Sequence, residues 1–187
     1  MNVILLGPPG CGKGTQGAIL ASRTQTTRIA TGDLLRAAVQ AETDLGKQAK
    51  SFMNKGLLVP DDVILGLITE VLNSPEAKNG IIMDGFPRTV AQAESVDDLL
   101  RSRNQVVYRV FTFEVPDEEL VRRMQGRSAK EGRSDDTPEA FQKRLKVYQD
   151  QTAPLLEFYD RRNLVTRIPG TGTMDEVAAR VQEALEK

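Results

Sequence analysis

The 187-residue chain has no histidine and a single cysteine, Cys11. Without histidine there is no Ser–His–Asp triad, no imidazole general base, no two-histidine zinc site and no imidazole pH switch. One cysteine permits neither an intrachain disulfide nor a four-cysteine zinc site. Long apolar runs are also missing: runs such as Val3-Ile4-Leu5-Leu6 fall far short of the roughly 20 residues of a membrane span. Neither sign of charge is in excess, since 25 Lys and Arg face 26 Asp and Glu for a net charge of −1. That argues against whole-surface attraction to nucleic acid or membrane, and leaves room for a local basic cleft. No basic leader segment precedes Gly7-Pro8-Pro9, so no secretory signal is expected, and a soluble, reduced, cytoplasmic setting is the default. With 40% hydrophobic and 27% charged residues, the chain suits one globular domain with a small insertion.

What is present has a regular grammar. Residues 3–6 read as a buried strand, because no polar residue alternates with the apolar ones. Residues 13–23 then suit a helix. Further strands are predicted at 80–84, 105–114 and 163–168, with a short one at 26–30. Helical patterns separate them, including 89–101 and a terminal amphipathic helix over 173–187. Alternation of this kind predicts an α/β fold whose parallel sheet has about five strands, with helices on both faces. Residues 32–73 hold two or three helices in a row, which reads as a helical insertion. Residues 126–137 are polar and loop-like. A long helical pattern over 138–162 is expected to kink or break at Pro154.

The chemistry lies first in Gly7-Pro8-Pro9-Gly10-Cys11-Gly12-Lys13-Gly14-Thr15, between a predicted strand and a predicted helix. That is the setting of a phosphate-binding loop. Glycines let successive N–H groups curl around an anion, the helix N-terminus adds unpaired donors, and Lys13 brings a mobile charge. The general pattern puts Ser or Thr directly after the lysine; here Gly14 intervenes and Thr15 follows. Cys11 reads better as a small loop residue than as a nucleophile.

Three clusters add to this. In Thr31-Gly32-Asp33-Leu34-Leu35-Arg36, Thr31 or Asp33 suits a helix cap and Arg36 sits one turn on. In Asp84-Gly85-Phe86-Pro87-Arg88-Thr89, an acid ends a predicted parallel strand, where such folds place the ligand crevice. There Asp84 can act on Mg²⁺ through water, Arg88 can grip a phosphate, and Gln92 can offer an amide to a base edge. Finally Arg123, Arg127, Arg133 and Arg144 surround the polar stretch, with Asp135 and Asp136 able to position them. For Arg122 and Lys130 a solvated surface is the simpler reading.

Together these motifs resemble the nucleoside monophosphate kinase family and, within it, the adenylate kinases. That family's phosphate loop carries a glycine between lysine and threonine, and the other motifs fall in its order and spacing over essentially the whole chain. The resemblance implies the P-loop nucleoside triphosphate hydrolase fold. It implies a core of residues 1–29, 60–125 and 137–187, a monophosphate-binding insertion at 30–59 and a short lid at 126–136, too short for zinc. By position, Gly10, Cys11, Gly12, Lys13, Gly14 and Thr15 would cradle ATP phosphates, with Arg123 and Arg127 from the lid side and Gly172 near the adenine. AMP would meet Thr31, Arg36, Leu57, Leu58, Val59, Gly85, Phe86, Pro87, Arg88 and Gln92. Arg133 and Arg144 would reach the phosphates between the two nucleotides. Asp84 and Asp33 would hold the waters of Mg²⁺. A threonine at position 31 leans towards AMP over UMP or CMP.

The reaction so implied is Mg·ATP + AMP ⇌ 2 ADP, with Lys13, Arg88, Arg123, Arg133 and Arg144 as the catalytic cations. The AMP phosphate is already anionic, so no strong general base is required. Two other readings stand beside it, a UMP/CMP kinase and a non-catalytic P-loop nucleotide-binding protein. A GTPase is disfavoured, because the nearest guanine-reading string, Asn54-Lys55-Gly56-Leu57, lacks the aspartate. A monomer is expected, since the enclosing cleft works within one chain.

Overall fold

Strand β1 (Val3–Leu6) is apolar throughout because both of its sides are covered. Ile4 and Leu6 join one buried cluster, while Val3 and Leu5 join another. Alternate residues of a strand face opposite ways, so such a run belongs in a sheet's interior. The computed structural model describes residues 1–131 and 137–186, the side chains of 127–131 excepted. In it β1 is the middle of a five-stranded, all-parallel sheet with the order β2-β3-β1-β4-β5. The other strands are β2 (Thr27–Ala30), β3 (Ile81–Asp84), β4 (Arg109–Glu114) and β5 (Val165–Pro169). The expected α/β fold is therefore the observed one.

The helices are α1 (Lys13–Thr24), α2 (Thr31–Gln40), α3 (Asp44–Asn54), α4 (Asp61–Asn73), α5 (Val90–Arg101), α6 (Asp117–Glu131), α7 (Pro138–Val147), α8 (Pro154–Asp160) and α9 (Met174–Glu186). Ile68 of α4, Val96 of α5 and Tyr159 of α8 pack in one cluster. Leu20 of α1, Leu120 of α6, Phe141 of α7 and Val181 of α9 pack in the other. Each such fully buried side chain stabilises the fold by roughly 1.5–3 kcal/mol. Both faces of the sheet are thus sealed, and the loops at the strands' carboxyl ends are left to form a crevice.

Two local expectations change and one is met. The strand expected from residue 105 begins only at Arg109, because its neighbour β1 begins at Val3, the partner of Arg109. Tyr108 makes one bond to the Asn2 carbonyl, and Val106 is 72% exposed. The break expected at Pro154 is where α8 starts, after a wide π turn over Tyr148–Thr152 closed by Ala153 N–H donating to the Tyr148 carbonyl. The stretch read as loop-like from residue 126 is helical through Glu131, as the end of α6. Thr137, which accepts from the Ala140 N–H, caps α7 on the far side. Among the described residues, no helix is long and apolar enough to cross a membrane.

Candidate active site

One cleft of about 960 Å³ runs along the carboxyl ends of β1, β3 and β2. Its floor is the loop between β1 and α1. Gly7, Gly10 and Gly12 there have φ of 140°, 86° and 101°. A side chain at Gly7 would put Cβ 2.7 Å from Cys11 Sγ, and one at Gly10 would meet the Leu120 carbonyl at 3.2 Å. The left-handed backbone and the close neighbours both require glycine. Lys13 Nζ reaches back over the loop and donates to the Gly7 and Pro8 carbonyls at 2.6 and 2.9 Å. Gly10, Cys11, Gly12, Lys13, Gly14 and Thr15 all line the cleft. Cys11 is buried, with its sulfur 3.5 Å from Lys13 Nζ, as a small loop residue would be.

The second wall comes from α2, the 55–60 segment and the β3–α5 loop. Thr31, Arg36, Leu57, Leu58, Val59, Gly85, Phe86, Pro87, Arg88 and Gln92 line it, as does Arg144 of α7. Thr31 is not a cap. Ala30 holds that position without a side-chain bond, while the buried Thr31 hydroxyl donates to the Gly85 carbonyl at 3.1 Å. Arg88 Nε donates to the same carbonyl at 2.7 Å. Gly85, at φ 84°, lies between them: an added Cβ would be 2.9 Å from Thr31 Oγ1 and 3.2 Å from Arg88 Nη2. Burial, then the nearby Arg144 and Arg36, lower the Arg88 guanidinium from its ordinary value to about 10, with Asp84 opposing them. A cluster of cations that repel one another in a partly dry pocket is arranged for an anion.

Asp84 and Asp33 also line the cleft, and both meet a residue the sequence reading passed over. Arg28 of β2 places Nη2 2.6 Å from Asp84 Oδ2 and 3.3 Å from Asp33 Oδ2. Arg36 holds Asp33 from the other side at 2.5 Å. The signal was present: a charged residue inside a short strand of a parallel sheet is unusual. Gly14 stands beside the pair, with its added Cβ 3.2 Å from Arg28 and 3.6 Å from Asp84. The two carboxylates thus sit next to the phosphate loop. They are hard oxygen donors, two in number, and no group of three metal-ligating side chains occurs among the described residues. That set fits Mg²⁺, which keeps most of its waters and needs few protein ligands.

The third wall is α6 with the β5–α9 loop. Arg123 Nε pairs with Glu119 at 2.7 Å, and its Nη2 donates to the Gly170 carbonyl at 2.9 Å. Arg123 in turn holds the Glu119 carboxyl below its ordinary range. Gly172, at φ 107°, lies on the rim where Thr173 and Glu176 start α9, and an added Cβ would be 2.5 Å from Glu176. Tyr148 and Thr152 of the π turn face the cleft as well, and burial pushes the Tyr148 hydroxyl up to about 12. Such π turns are rare overall and frequent at functional sites. Glu119 and Tyr148 carried no motif. The Arg127 side chain and Arg133, with residues 132–136 of the expected lid, lie outside the described residues.

Known proteins resemble this chain over nearly its whole length. The family model described as adenylate kinase matches residues 5–164. A protein of Stenotrophomonas maltophilia (strain K279a) named adenylate kinase is 47% identical over 186 residues, covering 100% of both chains. Proteins of the same name from Xanthomonas campestris pv. campestris (strain B100) and Maricaulis maris (strain MCS10) are each 48% identical. Their matches cover 99% and 100% of both chains respectively.

Proposed function

The chain belongs to the adenylate kinase family, and on that premise we propose how its cleft carries a phosphoryl group from ATP to AMP. The enzyme interconverts ATP plus AMP and two ADP. The pyrimidine-nucleotide alternative is not favoured by this kinship. The observation that carries the reading is the convergence in one cleft of a phosphate loop with Lys13 and a separate cation group, Arg36, Arg88 and Arg144. Two anionic ligands are thereby received from opposite walls.

ATP lies on the phosphate loop, with its β- and γ-phosphates on the N–H groups of residues 10–15 and on Lys13. AMP places its phosphate on Arg36 and Arg88 and its base by Gln92. An AMP phosphate oxygen attacks the γ-phosphorus in line, a new P–O bond forms, and the bond to the β–γ bridging oxygen breaks with its electrons leaving on ADP. No proton has to be removed from the nucleophile, which suits a site without histidine. Lys13, Arg88, Arg123 and Arg144, with Arg133 from the lid, neutralise the charge in flight. Bound Mg²⁺ supplies further neutralisation at the ATP phosphates, and Asp84 and Asp33 are the residues to hold its waters. Thr31, through the Gly85 carbonyl it shares with Arg88, keeps the AMP wall in register. The fold is expected to work as a cytoplasmic monomer.

Purified enzyme with Mg·ATP and, in turn, AMP, CMP, UMP or GMP tests the reading. AMP is expected to give the highest kcat/KM, with ADP as the product. Lys13→Met is expected to lower turnover by about 10²–10³, the size of a lost transition-state donor. Equal turnover of CMP and UMP, or ATP binding with no ADP formed from AMP, would refute it.

A further inference from the structure

Gln92 uses its amide in a way that helix capping alone does not explain. It is the third residue of α5, whose cap Thr89 accepts from the Gln92 N–H at 3.2 Å. A glutamine at that place usually turns back towards the cap's own N–H. Here Oε1 accepts from the Arg88 N–H at 2.6 Å. Nε2 points the other way and donates to Asp61 Oδ1, at the start of α4, at 2.5 Å. A carboxylate only accepts and a backbone N–H only donates, so the two partners hold the amide in a single sense. Gln92 is 2% exposed and borders the cleft. One N–H and one lone pair of the amide remain for a ligand, in a fixed order.

We propose that Asp61 is a specificity-determining positioning residue: it locks the Gln92 amide so that the acceptor site accepts bases with an amino edge and rejects those with an oxo edge. The inference rests on the reading of Gln92 as the residue beside the acceptor base. Adenine and cytosine present an acceptor ring nitrogen next to an amino donor, which matches the remaining N–H and lone pair. Guanine, hypoxanthine and uracil present a ring N–H next to a carbonyl, which puts donor against donor and acceptor against acceptor. Turning the amide over to suit them would aim Oε1 at the Asp61 carboxylate and an NH₂ group at the Arg88 N–H. Asp61 therefore sets the chemical sense of the edge, while pocket size separates purine from pyrimidine.

The test compares AMP with IMP, two purines that differ only in that edge, using the intact enzyme and Asp61→Asn. The asparagine can serve the amide in either sense. The ratio of kcat/KM for AMP over IMP is expected to shrink about tenfold, one hydrogen bond's worth. The ratio of CMP over UMP is expected to shrink with it. The AMP-over-CMP ratio, the KM for ATP and kcat with saturating AMP are expected to hold, and a merely structural role would not sort substrates by edge. Asp61→Ala is the second variant should the first fold poorly, with the same pattern expected. Gln92→Leu separates the two layers. If it leaves the AMP-over-IMP ratio intact, Gln92 is not beside the base and the underlying reading fails. If it collapses the ratio while both Asp61 variants keep it, the lock alone is refuted.

Discussion

Arg28 Nη2 lies 2.6 Å from Asp84 Oδ2, and the two side chains are only 22% and 12% exposed. The same nitrogen is 3.3 Å from Asp33. The parallel register of β2 on β3 sets Ala30 against Asp84 and so brings Arg28 to the same strand ends. A permanent cation thus holds together the two carboxylates suited to the waters of Mg²⁺.

Arg28→Gln removes that cation and leaves two carboxylates close together in a half-buried corner. The loss is expected to be about 1–3 kcal/mol, a fall in Tm of several degrees. Mg²⁺ added without nucleotide is expected to raise the Tm of the variant more than that of the parent, because a divalent ion then no longer competes with Arg28 for Asp84. Thermal melts across a Mg²⁺ series measure both effects. An unchanged Tm and an identical Mg²⁺ response in the two proteins would remove Arg28 from this role.

Arg88 gives a prediction of opposite sign. Its guanidinium is lowered to about 10, chiefly by burial and then by Arg144. An arginine whose folded pKa lies below its unfolded one opposes folding wherever both states are charged, which includes neutral pH. The folded state binds fewer protons between the two values, so stability from this group recovers as pH rises through about 10. Arg88→Gln is therefore expected to raise Tm by a few degrees at pH 7 while lowering kcat by about 10²–10³. The stability gap over the parent should narrow above pH 10. A variant that is both inactive and less stable at pH 7 would show that Arg88 is a structural support.

Gly85 separates Thr31 from Arg88, with an added Cβ at 2.9 and 3.2 Å from them and φ at 84°. Gly85→Ala is expected to destabilise by about 2 kcal/mol from backbone strain and crowding together. The hydroxyl of Thr31 and the guanidinium of Arg88 must both move, so the KM for AMP should rise about tenfold or more. The KM for ATP, which is proposed to lie on the phosphate loop instead, should change little. Steady-state kinetics with each nucleotide varied in turn would show it; equal rises in both KM values would point to general damage.

The parts that sequence made legible are those whose causes are local. The buried run at Val3–Leu6 and the glycine loop after it are each settled within a few residues. The parallel sheet followed from their repetition. Arg28 was missed because its partner Asp84 is 56 residues away and meets it only through strand register. Asp61 and Gln92, 31 residues apart, meet only where α4 and α5 come together. The polar composition after Gly126 suggested a loop, yet apart from that glycine it consists mostly of good helix formers, and α6 runs through it to Glu131. Motif spacing gathered cleft residues well; it did not reveal which of them hold one another.

Two helical glycines form a matched pair for the last prediction. Gly66 lies in α4 and Gly126 in α6, and an added Cβ meets nothing within 4 Å at either. Neither glycine is required by packing, so alanine at each should stabilise its helix by roughly 0.5–1 kcal/mol, by limiting the unfolded chain and favouring helix. That corresponds to a rise in Tm of about 1–4 °C for a chain of this size. Gly66 is away from the cleft, and Gly66→Ala is expected to leave kcat and both KM values unchanged. Gly126 lines the cleft, at the start of the stretch that leads into the expected lid. If α6 must unwind there as the enzyme turns over, Gly126→Ala will gain the same stability and lose kcat, with the loss growing at low temperature. Because α6 is continuous through Gly126 and that residue borders the cleft as it stands, the expected result is equal stabilisation with kcat preserved in both variants. A selective slowing of Gly126→Ala would show that this turn of helix opens during the catalytic cycle.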